Sequence, residues 1–336
     1  MGTKKKTQRA PFFFFIVAIY LLQTTVASRP VLLSHQEDPC RPIDHKSLRS
    51  DQLTVLINGF SESRLMLLQE IATVYSSSPA VHSVYVLWGN PSTASQTLRN
   101  ISFQSLGAPI FLFRDASPSL NNRFLPRRFI RTRAVAVCDD DVRIDSDSLR
   151  FAFRVWQNHP ERIVGFFARS HEFDLSRRSW MYTVSSTRLS IILTKFMVVS
   201  IDYLFEYTCR IPASVREIVD KRRNCEDIAM NFAVAARVAA GPILVEGKAR
   251  DYGDSRNWGK KQKGGGNGGG GDTDKAEGGL SWRGNHRRDR GDCITEFHKA
   301  WGRMPLRYSY GRVVDGIEEQ GLCKKGKKLV PCDEQE

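Results

Sequence analysis

Zinc-type spacing is missing from this chain: none of its seven cysteines forms a Cys-x-x-Cys pair, which leaves a zinc site without ligands. Stacking motifs for nucleic acid are missing as well, so the basic charge has no nucleic-acid signature beside it. Acidic residues are in the minority, 36 against 50 Lys and Arg, for a formal net charge of +14 over 336 residues. An excess of that size suits an anionic partner. With nucleic acid set aside, a phosphate-bearing substrate near a membrane is expected. An even cysteine count is also lacking, so at least one thiol stays unpaired. Cys138, inside an apolar stretch, is the expected free thiol. Cys323 and Cys332 bracket a short basic loop and are expected to pair, while the pairing of Cys40 and Cys209 stays open.

What is present begins with a targeting signal. Lys4, Lys5, Lys6 and Arg9 precede an unbroken apolar run over residues 12–22. The run is short for a span. It reads as a signal anchor over residues 11–27, with a cytosolic basic tail (1–10) and the remainder in the lumen; a cleaved signal peptide is the alternative. Residues 28–50, broken by Pro30, Pro39 and Pro42, read as a stem. Asn100-Ile101-Ser102 is a glycosylation sequon usable only in the lumen, whereas Asn90-Pro91-Ser92 is blocked by its proline.

From residue 51 the pattern alternates between strand and helix. Strands are expected at 53–58, 84–88, 109–113 and 134–138, with a helix over 64–76 whose Leu68, Ile71, Ala72 and Tyr75 share a face. That order implies a largely parallel sheet with helices packed on it, hence an α/β fold. Asp145 and Asp147 are expected to cap a helix running to His159, with Leu149, Ala152, Phe153 and Trp156 as its core stripe. Further strands are expected at 163–168, 180–184 and 190–199, with His171 in a loop between them. A helix is expected to open at Cys293, behind a flexible glycine-rich insertion over 260–282. The catalytic unit then spans 51–322, and 323–336 is a tail.

Ligands of such sheets sit beyond the carboxyl ends of the strands. Asn58, Asn90 and the triplet Asp139-Asp140-Asp141 fall there. Carboxylates crowded at one strand end need a counter-charge, and hard oxygen ligands suit Mg²⁺ or Mn²⁺. Strand alternation would send Asp139 and Asp141 one way and Asp140 the other. This is the Asp-x-Asp arrangement with which glycosyltransferases hold a metal against a nucleotide diphosphate. Asn121, Asn122 and Arg123 add two amides and a guanidinium suited to phosphate. A second constellation runs from Asn224 to Phe232, where Asn224 reads as an N-cap with Asp227 three residues on. There a helix start could aim Glu226 or Asp227 into the crevice.

Five segments carry a family resemblance: Cys138-Asp139-Asp140-Asp141, Phe151-Ala152-Phe153-x-Val155-Trp156, Ile163-Val164-Gly165-Phe166, Asn224 to Phe232, and Met304-Pro305-Leu306-Arg307-Tyr308-Ser309. Over residues 52–310 the chain resembles the family 64, exostosin-like glycosyltransferases. The resemblance implies a GT-A fold, a mixed and mostly parallel sheet flanked by helices, in a Golgi type II membrane protein. It implies a retaining, Mn²⁺-dependent transferase. Asp141 would be the metal ligand, with Asp139 and Asp140 on the nucleotide or a metal-bound water. Asn58, Asn90 and Arg123 would line the nucleotide pocket. Asp227, and beside it Glu226, would sit at the anomeric carbon, and Arg290 would meet the leaving diphosphate. Cys225 and Cys293 would form a disulfide. An arginine common in the family's early loop is replaced here by Glu62, and Arg64 is the expected substitute. Val55-Leu56-Ile57-Asn58-Gly59, Leu87-Trp88-Gly89-Asn90-Pro91, Phe205-Glu206-Tyr207 and Glu319-Gln320-Gly321-Leu322-Cys323 most resemble the short plant members. They imply transfer of mannose from GDP-mannose to the glucuronic acid of an anionic sphingolipid, an inositol phosphorylceramide. The alternatives are the same chemistry with a UDP-N-acetylhexosamine or another UDP-sugar, and a non-catalytic luminal scaffold.

Overall fold

The computed structural model describes residues 27–28, 32–33, 38–253, 286–315 and 322–331. Its elements in chain order begin with β1 (Arg49–Gly59), α1 (Leu65–Ser76), β2 (Val81–Trp88), β3 (Ile110–Arg114), β4 (Thr132–Asp139), β5 (Val142–Ile144) and α2 (Ser146–Asn158). Then come β6 (Val164–Gly165), β7 (Ala168–Asp174), β8 (Ser179–Thr183), β9 (Ile191–Ile192) and β10 (Phe196–Ser200). Helices α3 (Ile201–Cys209), α4 (Ala213–Arg222) and α5 (Glu226–Val238), strands β11 (Ile243–Leu244) and β12 (Ala249–Asp251), and helix α6 (His286–Trp301) follow.

The main sheet has eight strands in the order β11-β6-β10-β4-β1-β2-β3, closed at the far edge by Leu32–Leu33. Only β10 runs against its neighbours; the other pairings are parallel. This is the expected mixed, mostly parallel sheet. Residues 53–57 of β1 are all buried because both faces of the sheet are covered, which is why the run does not alternate; its one polar residue, Thr54, accepts a 2.8 Å hydrogen bond from Thr132 Oγ1. Leu56, Val135 and Val137 face one core with α3, α5 and α6, through Leu204, Tyr207, Ile228, Phe232 and Phe297. Val55, Ile57, Ala134, Ala136 and Cys138 face the other, with Ile71 and Tyr75 of α1 and Leu149 and Phe153 of α2.

Several local expectations are corrected. The single strands expected at 163–168 and 190–199 each split in two. Gly165 marks the first break: a Cβ there would stand 2.5 Å from the Phe196 carbonyl oxygen, so β6 closes tightly on β10 and the chain then leaves the sheet. A turn at Thr194 and Lys195 makes the second. His171 lies not in a loop but buried in β7, with Nδ1 2.7 Å from Ser190 Oγ and its ring stacked on Tyr308. Helix α6 starts at His286, before Cys293, and so takes Arg290 into its second turn. Asn224 is not the N-cap of α5. Cys225 holds that place with φ +77°, and the Asn224 side chain instead accepts from the Cys225 N–H at 2.8 Å. Asp145 does cap α2, accepting from Ser148 N at 2.7 Å.

Two disulfides, Cys40–Cys209 and Cys225–Cys293, and the buried free thiol Cys138 account for five cysteines. Cys332, expected to pair with Cys323, lies outside the described residues, as do the glycine-rich insertion and all of the expected anchor but Ala27. Among the described residues, no helix is long and apolar enough to cross a membrane. Part of the segment read as a stem joins the domain, through the edge strand Leu32–Leu33 and Cys40.

Candidate active site

Parallel pairing brings Asn58 of β1 level with Asp139 of β4, so the carboxyl ends of both strands open on one crevice. The loop after β1 folds over the acidic triplet. Phe60 N–H donates to Asp140 Oδ2 at 3.3 Å, and Asn90, at the end of β2, steadies that loop by donating to the Phe60 carbonyl at 3.1 Å. Arg64 follows at the start of α1 and bridges two carboxylates, Asp140 at 3.1 Å and Asp141 at 2.6 Å. The expected alternation therefore ends with the strand. Asp140 and Asp141 share one guanidinium, while Asp139 turns to Arg123.

Arg123 joins the two constellations. It is 4% exposed, and its Nη1 lies 3.0 Å from Asp139 Oδ1 and 3.1 Å from Glu226 Oε1. Glu226 also accepts from Thr194 Oγ1 at 3.2 Å. One residue on, Asp227 accepts a 2.5 Å bond from Arg290, whose other terminal nitrogen donates to Asn224 at 2.9 Å. The Arg290 guanidinium lies over the Tyr182 ring, 4.4 Å from its centroid. The Cys225–Cys293 disulfide ties the start of α5 to α6 and so holds the Asp227–Arg290 pair in register.

Asn121 and Asn122 stand apart from this crevice. Asn121 accepts from Tyr207 Oη at 2.5 Å and donates to the Arg216 carbonyl at 3.1 Å; Asn122 donates to the Ser117 carbonyl at 2.8 Å. Asn121 pins the 3₁₀ turn Leu120–Phe124 onto α3 and α4, Asn122 ties it back to the loop before it, and that turn carries Arg123. Asn100 ends an exposed helix, Ser95–Asn100, on the surface.

The electrostatics of the triplet are unbalanced. Burial pushes Asp140 up to about 7, with Arg64 opposing, and Asp139 up to about 6, with Arg123 opposing. Burial raises Asp141 and Glu226 too, and neighbouring carboxylates add to the shift. The resident arginines thus compensate the cluster only in part, so added positive charge would be taken up favourably. The donor chemistry, carboxylate oxygens throughout, fits a hard divalent cation. Among the described residues no three His, Cys, Asp or Glu side chains are set to chelate a metal. Asp139 and Asp141 direct one oxygen each to Arg123 and Arg64. A cation here would take one or two carboxylates and complete its shell from a substrate diphosphate, the usual arrangement for Mg²⁺-like ions.

Sequence reasoning missed Lys195 and Asp251. β12 pairs antiparallel with β5 and sets Asp251 opposite Val142, beside the triplet, where Lys195 forms an ion pair with it. Gly253 lets the chain pass close to the triplet, since a Cβ there would displace the Asp141 carboxylate. Tyr182, under Arg290, was also missed. No local pattern marks any of the three, because only the pairing of distant strands brings them in.

Comparisons with known proteins agree with this geometry. The model of the glycosyl transferase family 64 domain matches residues 53–317. The chain is 48% identical to an Arabidopsis thaliana glycosyltransferase family protein 64 C3, over 99% of both chains. It is 31% identical to glycosylinositol phosphorylceramide mannosyl transferase 1 of Arabidopsis thaliana, over 90% of this chain and 88% of that one. Bos taurus exostosin-1 is 36% identical over 61% of this chain, a match spanning 26% of the longer protein. A solved chain, GalNAc-T7 with UDP, GalNAc and Mn2+, overlaps at a TM-score of 0.37 with 10% identity over 55% of this chain and 40% of that one, too slight a likeness to carry an argument. An acidic triplet at the strand ends of a mostly parallel sheet, faced by two more carboxylates on a helix start, is the site of an enzyme, and the match over nearly the whole domain says which kind: the chain belongs to glycosyltransferase family 64.

Proposed function

We propose that this glycosyltransferase moves mannose from GDP-mannose, with retention, to the glucuronic acid of an inositol phosphorylceramide headgroup. The observation that carries the chemistry is the Arg123 bridge, which sets the triplet and the Glu226–Asp227 pair around one crevice. The likeness to a mannosyl transferase acting on glycosylinositol phosphorylceramide, over 90% of this chain, supports the substrates. In this reading Asp141 and Asp139 hold Mn²⁺, which when bound neutralises charge on the departing diphosphate. Asn58, Arg64, Asn90, Arg123 and Asp140 receive the nucleotide side of the donor. Asp227 stands at the anomeric carbon, with Glu226 beside it. Arg290 orients Asp227 and lends positive charge to the leaving group. Asn121 and Asn122 act indirectly, by fixing the turn that presents Arg123. The protein resides in the Golgi membrane as a type II protein, and its Asn100 carries a glycan.

The test is a donor panel with the purified chain, with Mn²⁺ and with chelator, and inositol phosphorylceramide carrying glucuronic acid as acceptor. Metal-dependent consumption of GDP-mannose with a mannosylated lipid product is expected. Preferred use of a UDP-sugar would overturn the donor and keep the site. No turnover of any donor would overturn the catalytic reading in favour of a scaffold, and full turnover by Asp227→Ala would overturn the role given to Asp227 while leaving the enzyme a transferase.

A further inference from the structure

The reaction just proposed needs only the crevice, yet the protein carries a second feature beside it. Strands β7 and β8 leave the main body as a hairpin: β9 pairs with β7 only at Ala168 and Arg169, so from Ser170 outward the ribbon is two-stranded. One side of it is backed by α6, where Trp180 N–H donates to Thr295 Oγ1 at 3.0 Å and the Trp180 indole N–H donates to His298 Nδ1 at 2.9 Å. Gly291 lets the strand approach, since a Cβ would meet the Trp180 carbonyl at 2.8 Å.

The tip is built against the usual rule for a surface turn. Leu175 is 84% exposed and Phe173, packed edge-on to Trp180, is 43% exposed. Arg177 and Arg178 follow directly, both exposed, and Lys299 lies exposed beside the His298 that anchors the hairpin. The acids nearby are already engaged. Asp174 accepts from Ser176 N–H at 2.8 Å, Ser176 Oγ at 2.6 Å and Arg177 N–H at 3.1 Å, which also stiffens the turn. Glu172 is paired with Arg188 at 2.9 Å. Arg177 Nε also lies 3.6 Å from Asp174, a loose pair on a largely exposed arginine that leaves most of its guanidinium open to solvent. What remains for a partner is an apolar tip with Arg177, Arg178 and Lys299 exposed near it, the chemistry of a membrane-surface contact.

We infer that this hairpin docks the catalytic domain on a bilayer surface bearing anionic phosphoinositol-type headgroups. Leu175 and Phe173 enter the headgroup boundary while Arg177, Arg178 and Lys299 meet the phosphates. The inference rests on the proposed lipid acceptor and says how that acceptor is reached. Tyr182, beneath Arg290, lies four residues along β8 from Arg178, about 13 Å at strand rise. The site would thus stand one headgroup sugar chain above the lipid, so the same rigid strand that touches the surface sets the depth of the chemistry.

The experiment uses the full chain reconstituted in phosphatidylcholine vesicles with or without phosphatidylinositol, some of the lipid carrying bromine on its acyl chains. In Leu175→Trp, the added fluorescence should be quenched by brominated lipid in the phosphatidylinositol vesicles, and Arg177→Glu/Arg178→Glu in that background should abolish the quenching. In the otherwise wild-type chain the double charge reversal should raise the apparent KM for vesicle-borne acceptor about tenfold or more, with donor hydrolysis and transfer to a soluble headgroup glycan unchanged. No extra quenching, equal quenching with and without phosphatidylinositol, or a tip that instead drives self-association in sedimentation would overturn the inference. If the acceptor assay is silent while charge-dependent quenching persists, the acceptor assignment fails and the docking surface stands.

Discussion

Replacing Arg290 by Met should destabilise the protein more than any loss of catalytic function would lead one to expect. Arg290 is 5% exposed and its partner Asp227 3%. The guanidinium gives Asp227 its 2.5 Å bond, gives Asn224 another at 2.9 Å and covers Tyr182. Met fills a similar apolar volume but leaves a carboxylate in the interior with only the Ile228 N–H, at 2.8 Å, still pointing to it. Breaking a buried pair from one side costs about 3–5 kcal/mol, because the orphaned charge stays behind. Removing both charges, in Arg290→Met/Asp227→Asn, should return the protein to within about 1–2 kcal/mol of wild type, since desolvation of the pair offsets most of its attraction. Urea unfolding with the disulfides intact measures all four corners of the cycle. Catalysis should be lost in every variant, so stability and activity would part company in the double variant. A single variant within about 1 kcal/mol of wild type, or a double variant no better than the single, would refute the buried-pair argument.

Other expectations follow from the same geometry. Asp141→Asn should cost at least about a hundredfold in turnover by removing charge at the metal position, and thermal unfolding should move little because Arg64 is about a third exposed at 34%; undiminished Mn²⁺ dependence would argue against the assignment. Cys225→Ser/Cys293→Ser should lose about 4 kcal/mol by the loop-closure relation for a separation of 68 residues, read by denaturant midpoint. His171 supplies a pH dependence: burial, the main cause, lowers its pKa from 6.5 to about 4, so below 6.5 the unfolded chain binds the extra proton. Its contribution is whole above pH 6.5 and falls away as pH drops towards 4, up to about 3 kcal/mol, and His171→Gln should flatten that part of the stability curve. If the chain enters the secretory pathway as proposed, a glycosidase that trims N-linked chains should increase its gel mobility, and Asn100→Gln should abolish that response.

The central strands were legible because burial on both faces writes itself as a nearly continuous apolar run, with Thr54 the one polar residue in it. Leu53 to Ile57 and Ala134 to Cys138 are such runs, and their register then fixes Asn58 beside Asp139. Charge crowding drew notice to the triplet, but a short acidic run after a strand is more often a solvated loop, and only the other segments of the chain made it a candidate site. Where two signals competed, the reading failed. Asn224 with Asp227 three residues on has the form of a capping box, but the Asn224 side-chain oxygen is taken by the Cys225 N–H and by Arg290 instead. His171 looked like a loop residue because Arg169, Ser170 and Glu172 surround it; burial is enforced from outside, by Tyr308 stacking and Ser190. Lys195, Asp251 and Tyr182 had no local mark, since they reach the site only through pairings across the fold.

Arg123 explains why the chain tolerates so many buried acids. One guanidinium nitrogen serves Asp139 on the strand side and Glu226 on the helix side, within 3.0 and 3.1 Å. Neither carboxylate is fully compensated, which burial-driven upward shifts in both record. In the proposed reading, a cation bound at Asp139 would release part of Arg123 to Glu226, so that its binding would tighten the start of α5. Arg123→Lys preserves the charge but carries it on a shorter side chain, whose ammonium falls short of the point where Nη1 meets both acids. It should therefore weaken the response of one side to the other: Mn²⁺ should still protect the protein against heat, but no longer slow hydrogen exchange at the start of α5. Equal protection of α5 in wild type and Arg123→Lys would mean that the two halves of the crevice act independently.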